Sequence, residues 1–376
     1  MKLAYFTPLQ RGSAVGQHSV GVAEELAGLG HAVELWAPEL RGALHPTRLP
    51  VVRFRRRPTA LTRLAQMDFA VYAIGDQPAL HGAIRDVAVH HPGVVVLHDR
   101  LTAALSGALG IVCHSARQAR AVRERWPGPV CTLFLTHDLD DQAGAAVVPR
   151  RRSEPLRLLS IGHVNSNRRV GDVVEMIARR PDLAPRVRYD VVGDLDESLA
   201  HIPALRERIA ALGLQDSVRL HGRLGDRELA AALHEADVHV NLCLPAFEGS
   251  SASLVRQLAS AAPVVVYATG LFADLPDAVA VKVAPADIDG LGRALASLLD
   301  DPGERGAIGA RGAAYVAALT PRRYAEGLAA FIVEAASRDP LLALAERAGR
   351  QLAALATHPD DAALVTVERE LRALEG

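Results

Sequence analysis

The chain is poor in lysine. Of 42 basic residues in 376, only Lys2 and Lys282 are lysines; the rest are arginines. Together with abundant Ala and Leu, this reads as a bias of genome composition. Cysteine is scarce too: Cys113, Cys131 and Cys243 are the only three. An odd number at wide spacing, each in or beside an apolar run, argues against a disulfide framework and for small buried hydrophobes in a reducing compartment. No run of about 18 apolar residues occurs, so no membrane-spanning helix is expected. The start "MKLAYFTP" lacks a signal-peptide hydrophobic region, which points to the cytoplasm and leaves membrane-surface contact open. An excess of one charge is also missing, the formal net charge being −1. Nucleic acid is therefore not an expected partner, since phosphate backbones select strongly basic faces. What is present is apolar material, 49% of the chain against 23% charged, enough for a sizeable core in two or three domains.

Short apolar runs alternate with helical patterns. "KLAYF" (2–6) leads through a loop to the helix "HSVGVAEELAGLG" (18–30), and "AVELWAP" (32–38), "FAVYAIG" (69–75), "GVVVLHD" (93–99), "GIVCHS" (110–115) and "VCTLFL" (130–135) continue the series. The pattern pauses at "VVPRRRSEPLR" (147–157), a candidate linker. It restarts with "LRLLSIG" (156–162), "VRYDVVG" (187–193), "SVRLHG" (217–222), "DVHVNL" (237–242), "PVVVYA" (263–268) and "AVAVKV" (278–283). Continuous apolar runs with helices between them predict buried parallel sheets. The expected class is α/β: two Rossmann-like parallel-sheet domains facing across a cleft, 1–150 and 151–320, then helices over 321–376, the first crossing back to the N-terminal domain. Ligands in such folds bind at the carboxyl ends of strands. The charge run "RFRRRP" (53–58) reads as a solvated surface loop or, alternatively, as a patch for an anionic membrane or acidic acceptor.

The stretch "FEGSSASLVRQLASAAPVVV" (247–266) sets an acidic residue ahead of small residues, a helix and an apolar strand. Small side chains from Gly249 to Ser253 let a ligand approach the backbone. A helix starting near Ala252, capped by Ser250 or Ser251, points free N–H groups and a positive dipole end at an anion such as a diphosphate. A simple capped helix start accounts for the same residues.

Four segments in this order and spacing resemble the GT-B glycosyltransferases of family 4: "LAYFTPLQRGSAVGQHS"; "VYAIGDQPALHGAI" with "HPGVVVLHD"; "LLSIGHVNSNRRV"; and "ALHEADVHVNLCLP" running into the stretch above and "GLFADLP". The likeness covers Met1 to about Ala336. It implies transfer of a sugar from a nucleotide-diphosphate sugar with retained anomeric configuration, hexosyl transfer being the expected type, with no metal and no cofactor. Glu248 matches the first carboxylate of the family's paired-glutamate motif, which binds donor-sugar hydroxyls. The second falls on Arg256, which cannot accept from a ribose hydroxyl, so ribose is left to the backbone or Gln257, or Arg256 points elsewhere. Where the family places an Arg and a Lys against the diphosphate, this chain has His163 and Arg168, with Arg169 in reserve. Arg168 keeps the charge and can pair two phosphate oxygens. His98 matches a histidine beside the donor sugar, with a loop histidine as the plainer reading, and Asp99 could orient it or bind acceptor. His114 reads as structural. In the first loop Ala14 stands where the family has Gly, flanked by Gly12 and Gly16; Gly12 and Ser13 are the candidates for backbone contact. Gly75, Asp76 and His81 are acceptor-side candidates, Asp76 being equally a helix cap. Base recognition falls on Arg223 and Leu224.

No pair of carboxylates suited to a retaining hydrolase stands out. The expected chemistry is same-face substitution, the departing diphosphate being stabilised by Arg168, the helix terminus at 252 and His163, and its oxygen taking the acceptor's proton. The acceptor, whether small molecule, lipid or saccharide, is not specified. Two alternatives stand beside it: a nucleotide-sugar epimerase, disfavoured by the missing carboxylate pair, and a catalytically degenerate binding or partner subunit.

Overall fold

The structure, a computed structural model, describes residues 1–39, 41–56, 58–99, 108–136, 155–246, 249 and 251–337. The chain divides into two units, Met1–Phe134 with the segment from Pro321 onward, and Leu135–Thr320.

Among its described residues the first unit holds seven strands: β1 (Lys2–Phe6), β2 (Ala32–Ala37), β3 (Val51–Arg53), β4 (Phe69–Ile74), β5 (Gly93–Leu97), β6 (Ala108–Cys113) and β7 (Val130–Thr132). They pair in the order β3-β2-β1-β4-β5-β6-β7, every pairing parallel. Helices α1 (Ala14–Gly28), α2 (Pro78–His90) and α3 (Ala116–Arg123) make crossovers. Because side chains alternate across a strand, Leu3 and Tyr5 of β1 enter one buried layer with Val22 and Leu26 of α1, while Ala4 and Phe6 enter the other. There the Phe6 ring lies 5.0 Å from Trp36 and 4.9 Å from Tyr72. Burial on both faces is why these strands read as unbroken apolar runs.

The "RFRRRP" run departs from a purely solvated loop. Arg53 ends β3, and Phe54 opens a 3-10 turn and is buried against Phe6 at 5.3 Å between ring centroids. An aromatic in the run supplies burial that its charge pattern conceals.

The second unit holds β8 (Leu156–Ile161), β9 (Val187–Val192), β10 (Val218–Gly222), β11 (Val238–Asn241), β12 (Val264–Tyr267) and β13 (Val281–Val283), in the order β10-β9-β8-β11-β12-β13 and again all parallel. Its helices are α4 (Val170–Arg179), α5 (His201–Ala211), α6 (Asp226–Glu235), α7 (Ala252–Ala259), the short α8 (Gly270–Ala273), α9 (Ile288–Asp300) and α10 (Pro302–Ala317). Val173, Val174 and Ile177 of α4 and Leu291 and Leu295 of α9 fill its main core against β8, β9 and β11. The chain then enters α11 (Pro321–Ala336), whose Tyr324, Leu328, Phe331 and Ile332 are buried in the core of the first unit.

In each sheet the strand order reverses beside the first strand of the unit. Sequence neighbours lie to one side of β1, and β4 to the other; likewise β9 and β11 flank β8. At such a switch point adjacent loops leave in opposite directions and open a crevice at the carboxyl ends of the strands. Among the described residues no helix is long and apolar enough to cross a membrane.

Candidate functional site

At the carboxyl end of the first sheet, histidines converge from three elements. His98 follows β5, its backbone N–H donating to the Ile74 carbonyl at 2.8 Å. The His114 ring, after β6, lies 4.7 Å from it, and His18 of α1 lies 5.8 Å from both. Tyr324 of α11 closes the group at 4.8 Å from His18 and 5.9 Å from His114. Burial lowers the pKa of His18 to about 3, and the neighbouring His114 adds to the effect. It lowers His114 to about 4 against the opposing hydrogen bond to Leu133. His98 is pushed well below 6.5, by burial first and then by His114, His18 and His81. All three are therefore neutral at pH 7. The His114 Nδ1 lies 2.9 Å from the Leu133 carbonyl oxygen, which only accepts. That places the proton on Nδ1 and leaves the buried Nε2 as a bare lone pair. His98 can thus offer a hydrogen bond to a ligand, but not a positive charge.

Gln118 of α3 braces this rim. Its Nε2 donates to the carbonyls of Leu97 at 3.1 Å and Asp99 at 2.7 Å, and its Oε1 accepts from the His114 N–H at 2.8 Å. The ends of β5 and β6 are locked together by one amide. Sequence reasoning missed it; the signal was the S-x-x-Q spacing from Ser115, whose hydroxyl caps α3 by accepting from the Gln118 N–H at 3.1 Å.

Gly75, Asp76, His81 and Asp99 do come together. The Asp99 Oδ2 accepts from the Asp76 N–H at 3.0 Å, and the Gly75 carbonyl accepts from Arg85 at 2.8 Å. His81 differs from an open acceptor-side residue. It is 3% exposed, its Nδ1 is 3.2 Å from the Ala73 carbonyl, and burial lowers its pKa. The α2 cap position is Gln77, so Asp76 is not the cap and stands exposed.

In the first loop Gly12 has φ +93° and open space around it. Ser13 is committed within the fold: its N–H donates to the Gln10 carbonyl at 3.1 Å, and its hydroxyl caps α1 by accepting from Gly16 at 3.1 Å. That removes it as a backbone donor to a ligand. The glycine this loop requires is Gly16, where a Cβ would sit 2.2 Å from the Pro8 carbonyl oxygen.

At the carboxyl end of the second sheet two arginines, Arg168 and Arg169, follow β8. β8 ends at the close passage of Gly162 and Gly193, where a Cβ on Gly193 would lie 1.7 Å from the Gly162 carbonyl oxygen. A 3-10 turn, Ser166–Arg168, follows, capped by Asn165, whose Oδ1 accepts from the N–H groups of Asn167 and Arg168 at 3.1 and 3.2 Å. The Arg168 Nη1 donates to Asn241 Oδ1 at 2.9 Å, at the end of β11, with Ser253 Oγ at 3.4 Å. The bond spans the switch point between β8 and β11. Arg169 is not in reserve: it sits at φ +45° and pairs with Asp172 through two bonds of 3.0 and 2.8 Å. Asp172 also accepts from the Tyr267 hydroxyl at 2.6 Å. His163 has a side chain 51% exposed, 3.6 Å from the Asp194 carboxylate.

α7 begins at Ala252, and Ser251 caps it, accepting from the Leu254 N–H at 3.3 Å. Gly249 is buried, and Arg256 stands half-buried in the last turn of α7. Glu248 and Ser250 lie outside the described residues. Gln257 cannot hold a ribose. It is fully buried, its Oε1 taken by Asn241 at 2.7 Å and its Nε2 directed at the Leu159 carbonyl at 3.4 Å. Arg223 is exposed and Leu224 half-buried after β10; Leu224 lines a cavity of about 480 Å³ along β8, β9 and β10, with Arg157, Arg188, Arg219, Asp190 and His221. The cysteines are free, and burial pushes the Cys113 and Cys131 thiols up to about 12, which leaves them inert.

With this geometry in view, the two parallel-sheet units define the class: the chain has the GT-B glycosyltransferase fold. HepE of Anabaena, solved with UDP and with UDP-glucose, superposes in its UDP complex with a TM-score of 0.70 over 89% of this chain and 100% of that one, at 15% identity. Sucrose-phosphate synthase of Thermosynechococcus elongatus gives 0.67 over 90% and 100%, also at 15% identity. Residues 155–301, most of the second unit, match the family described as glycosyl transferases group 1. The MMP alpha-(1->4)-mannosyltransferase of Mycolicibacterium hassiacum is 37% identical over 131 residues, which is 34% of this chain and 31% of that relative's length.

Proposed function

We propose that this chain is a retaining hexosyltransferase that moves a sugar from a nucleotide-diphosphate sugar to an acceptor hydroxyl without a metal. The observation that carries the proposal is Arg168, a guanidinium held at the switch point of the second sheet inside the region that matches the group 1 family. Breaking the bond to the anomeric carbon puts charge on the departing diphosphate, and a fixed cation there stabilises the transition state more than the ground state. The start of α7, with Ser251 as its cap, adds partial positive charge from backbone N–H groups. Glu248 takes the sugar hydroxyls in this reading. His98, neutral and buried to its edge, serves as a hydrogen-bonding group toward sugar or acceptor. Metal independence rests on the charge the chain itself supplies. No cofactor is used, the nucleotide sugar being a substrate, and the reaction is placed in the cytoplasm.

The direct test is incubation with UDP-, GDP- and ADP-hexoses, following nucleotide release, with UDP-sugars tried first because HepE was solved with UDP and UDP-glucose. Release with one base and retained configuration in the product is the expected result. No release from any donor, together with no thermal shift, sinks the proposal in favour of a degenerate binding subunit.

A further inference from the structure

We infer that Asn241 and Gln257 form a polarised amide relay that positions the Arg168 guanidinium for a diphosphate, with Asn241 as the positioning residue; this rests on the donor-site reading above.

The polarity of the relay is set at its far end. The Leu159 carbonyl of β8 can only accept, so the Gln257 side chain, fully buried, turns its nitrogen toward it at 3.4 Å. The Gln257 oxygen then faces Asn241, which must present its Nδ2, at 2.7 Å. The Asn241 oxygen is left for Arg168 at 2.9 Å. Flipping either amide would set like dipoles against each other in a dry site, where an unsatisfied group is expensive. Ser253 completes the lattice: its Oγ lies 3.2 Å from Asn241 Nδ2, 3.4 Å from Arg168 Nη1 and 3.1 Å from Ser251 Oγ. A main-chain bond from the Leu244 N–H to the Asn167 carbonyl at 2.8 Å ties the loop after β11 to the turn carrying Arg168.

The residue type at 241 matters as much as its place. Arg169, one residue on, is held by the Asp172 carboxylate, which matches its charge. Asn241 holds Arg168 with a neutral oxygen. It orients the fork without adding a negative charge at that contact, and an orienting group beside an anion site has to meet both conditions.

The test uses the full-length chain and calorimetric binding of UDP, GDP, ADP and inorganic pyrophosphate, alongside nucleotide release from donor sugars. Asn241→Leu, which keeps the branched shape and removes both the acceptor for Arg168 and the donor to Gln257, is expected to weaken binding about tenfold. Asn241→Asp keeps the shape but places a carboxylate on the cation, and is expected to weaken it at least as much. In an Arg168→Ala background Asn241→Leu should cost less than about twofold, because the relay acts through Arg168. Wild-type affinity in both Asn241 variants overturns the relay, and so does an undiminished loss in the Arg168→Ala background. Thermal unfolding run in parallel identifies a misfolded variant, and should Asn241→Leu fail to fold, the near-isosteric Asn241→Asp decides. A wild type that binds pyrophosphate but releases no nucleotide from any donor refutes the transfer reading while the double-mutant comparison still judges the relay. A wild type that binds neither nucleotide nor pyrophosphate refutes both.

Discussion

The two units build the same kind of sheet and finish it in different electrical states. In the first, the strand ends gather His18, His98 and His114, all neutral at pH 7 because burial disfavours the imidazolium. In the second, the strand ends hold a guanidinium, Arg168, that counts the Asn241 amide oxygen and the Ser253 hydroxyl among its partners. The difference is one of intrinsic basicity. An imidazole surrenders its proton when desolvated, whereas a guanidinium keeps its charge under almost any burial and must be given hydrogen bonds instead. A parallel sheet fixes where a ligand can meet the backbone, and the residue types at the strand ends decide what charge it meets.

The contrast breaks most visibly in acid. The folded pKa values of His18 and His114 lie near 3 and 4, below the 6.5 of a free histidine. Above pH 6.5 neither state binds the proton. As pH falls below 6.5 the unfolded chain takes up protons that the fold refuses, so stability is lost down to about pH 4 for His114 and about pH 3 for His18. The slope is up to about 1.4 kcal/mol per pH unit for each such histidine. Both tryptophans, Trp36 and Trp126, are in the first unit, so denaturant midpoints read by their fluorescence report that unit alone. The midpoint should fall between pH 6.5 and 4, and His114→Gln should flatten the fall. An unchanged slope in that variant means the fold does not lower the His114 pKa.

The cationic end should fail through activity instead. Arg168→Ala and Glu248→Ala are each expected to slow nucleotide release at least tenfold, about 1.4 kcal/mol. Wild-type rates in both discard the site assignment. Smaller and purely local are the helix caps that frame the two rims. Ser251→Ala on α7 and Ser13→Ala on α1 should each cost about 1 kcal/mol in urea unfolding. A loss near zero at either position means its hydroxyl does no capping. The smallest effect is expected at His163, exposed and beside Asp194. His163→Gln should change kcat/KM by less than about threefold, and a larger fall moves His163 into the phosphate site.

The architecture was readable because buried parallel strands need apolar residues on both faces, and runs such as "GVVVLHD" and "PVVVYA" have few other uses. Short edge elements were not readable: β3 spans only Val51–Arg53, three residues that run into a stretch dominated by charge. Candidate site residues were readable by type and poorly by commitment. Arg168 and Arg169 are adjacent and chemically identical in the sequence, yet one faces Asn241 and the other is matched by Asp172. Ser13 and Gln257 looked available to a ligand, and both spend their hydrogen bonds inside the fold.

What the sequence determined by itself was local and periodic: which runs become strands, where helices start, which loops are small enough for backbone to approach a ligand. These follow from side-chain volume, alternation and capping within a few residues. Only the tertiary structure decided which polar groups are already paired. Asn241 meets Arg168 73 residues away along the chain, and Gln257 meets Leu159 98 residues away. Hydrogen-bond commitment in a buried site is a property of the neighbours the fold brings together, and no window of sequence contains them.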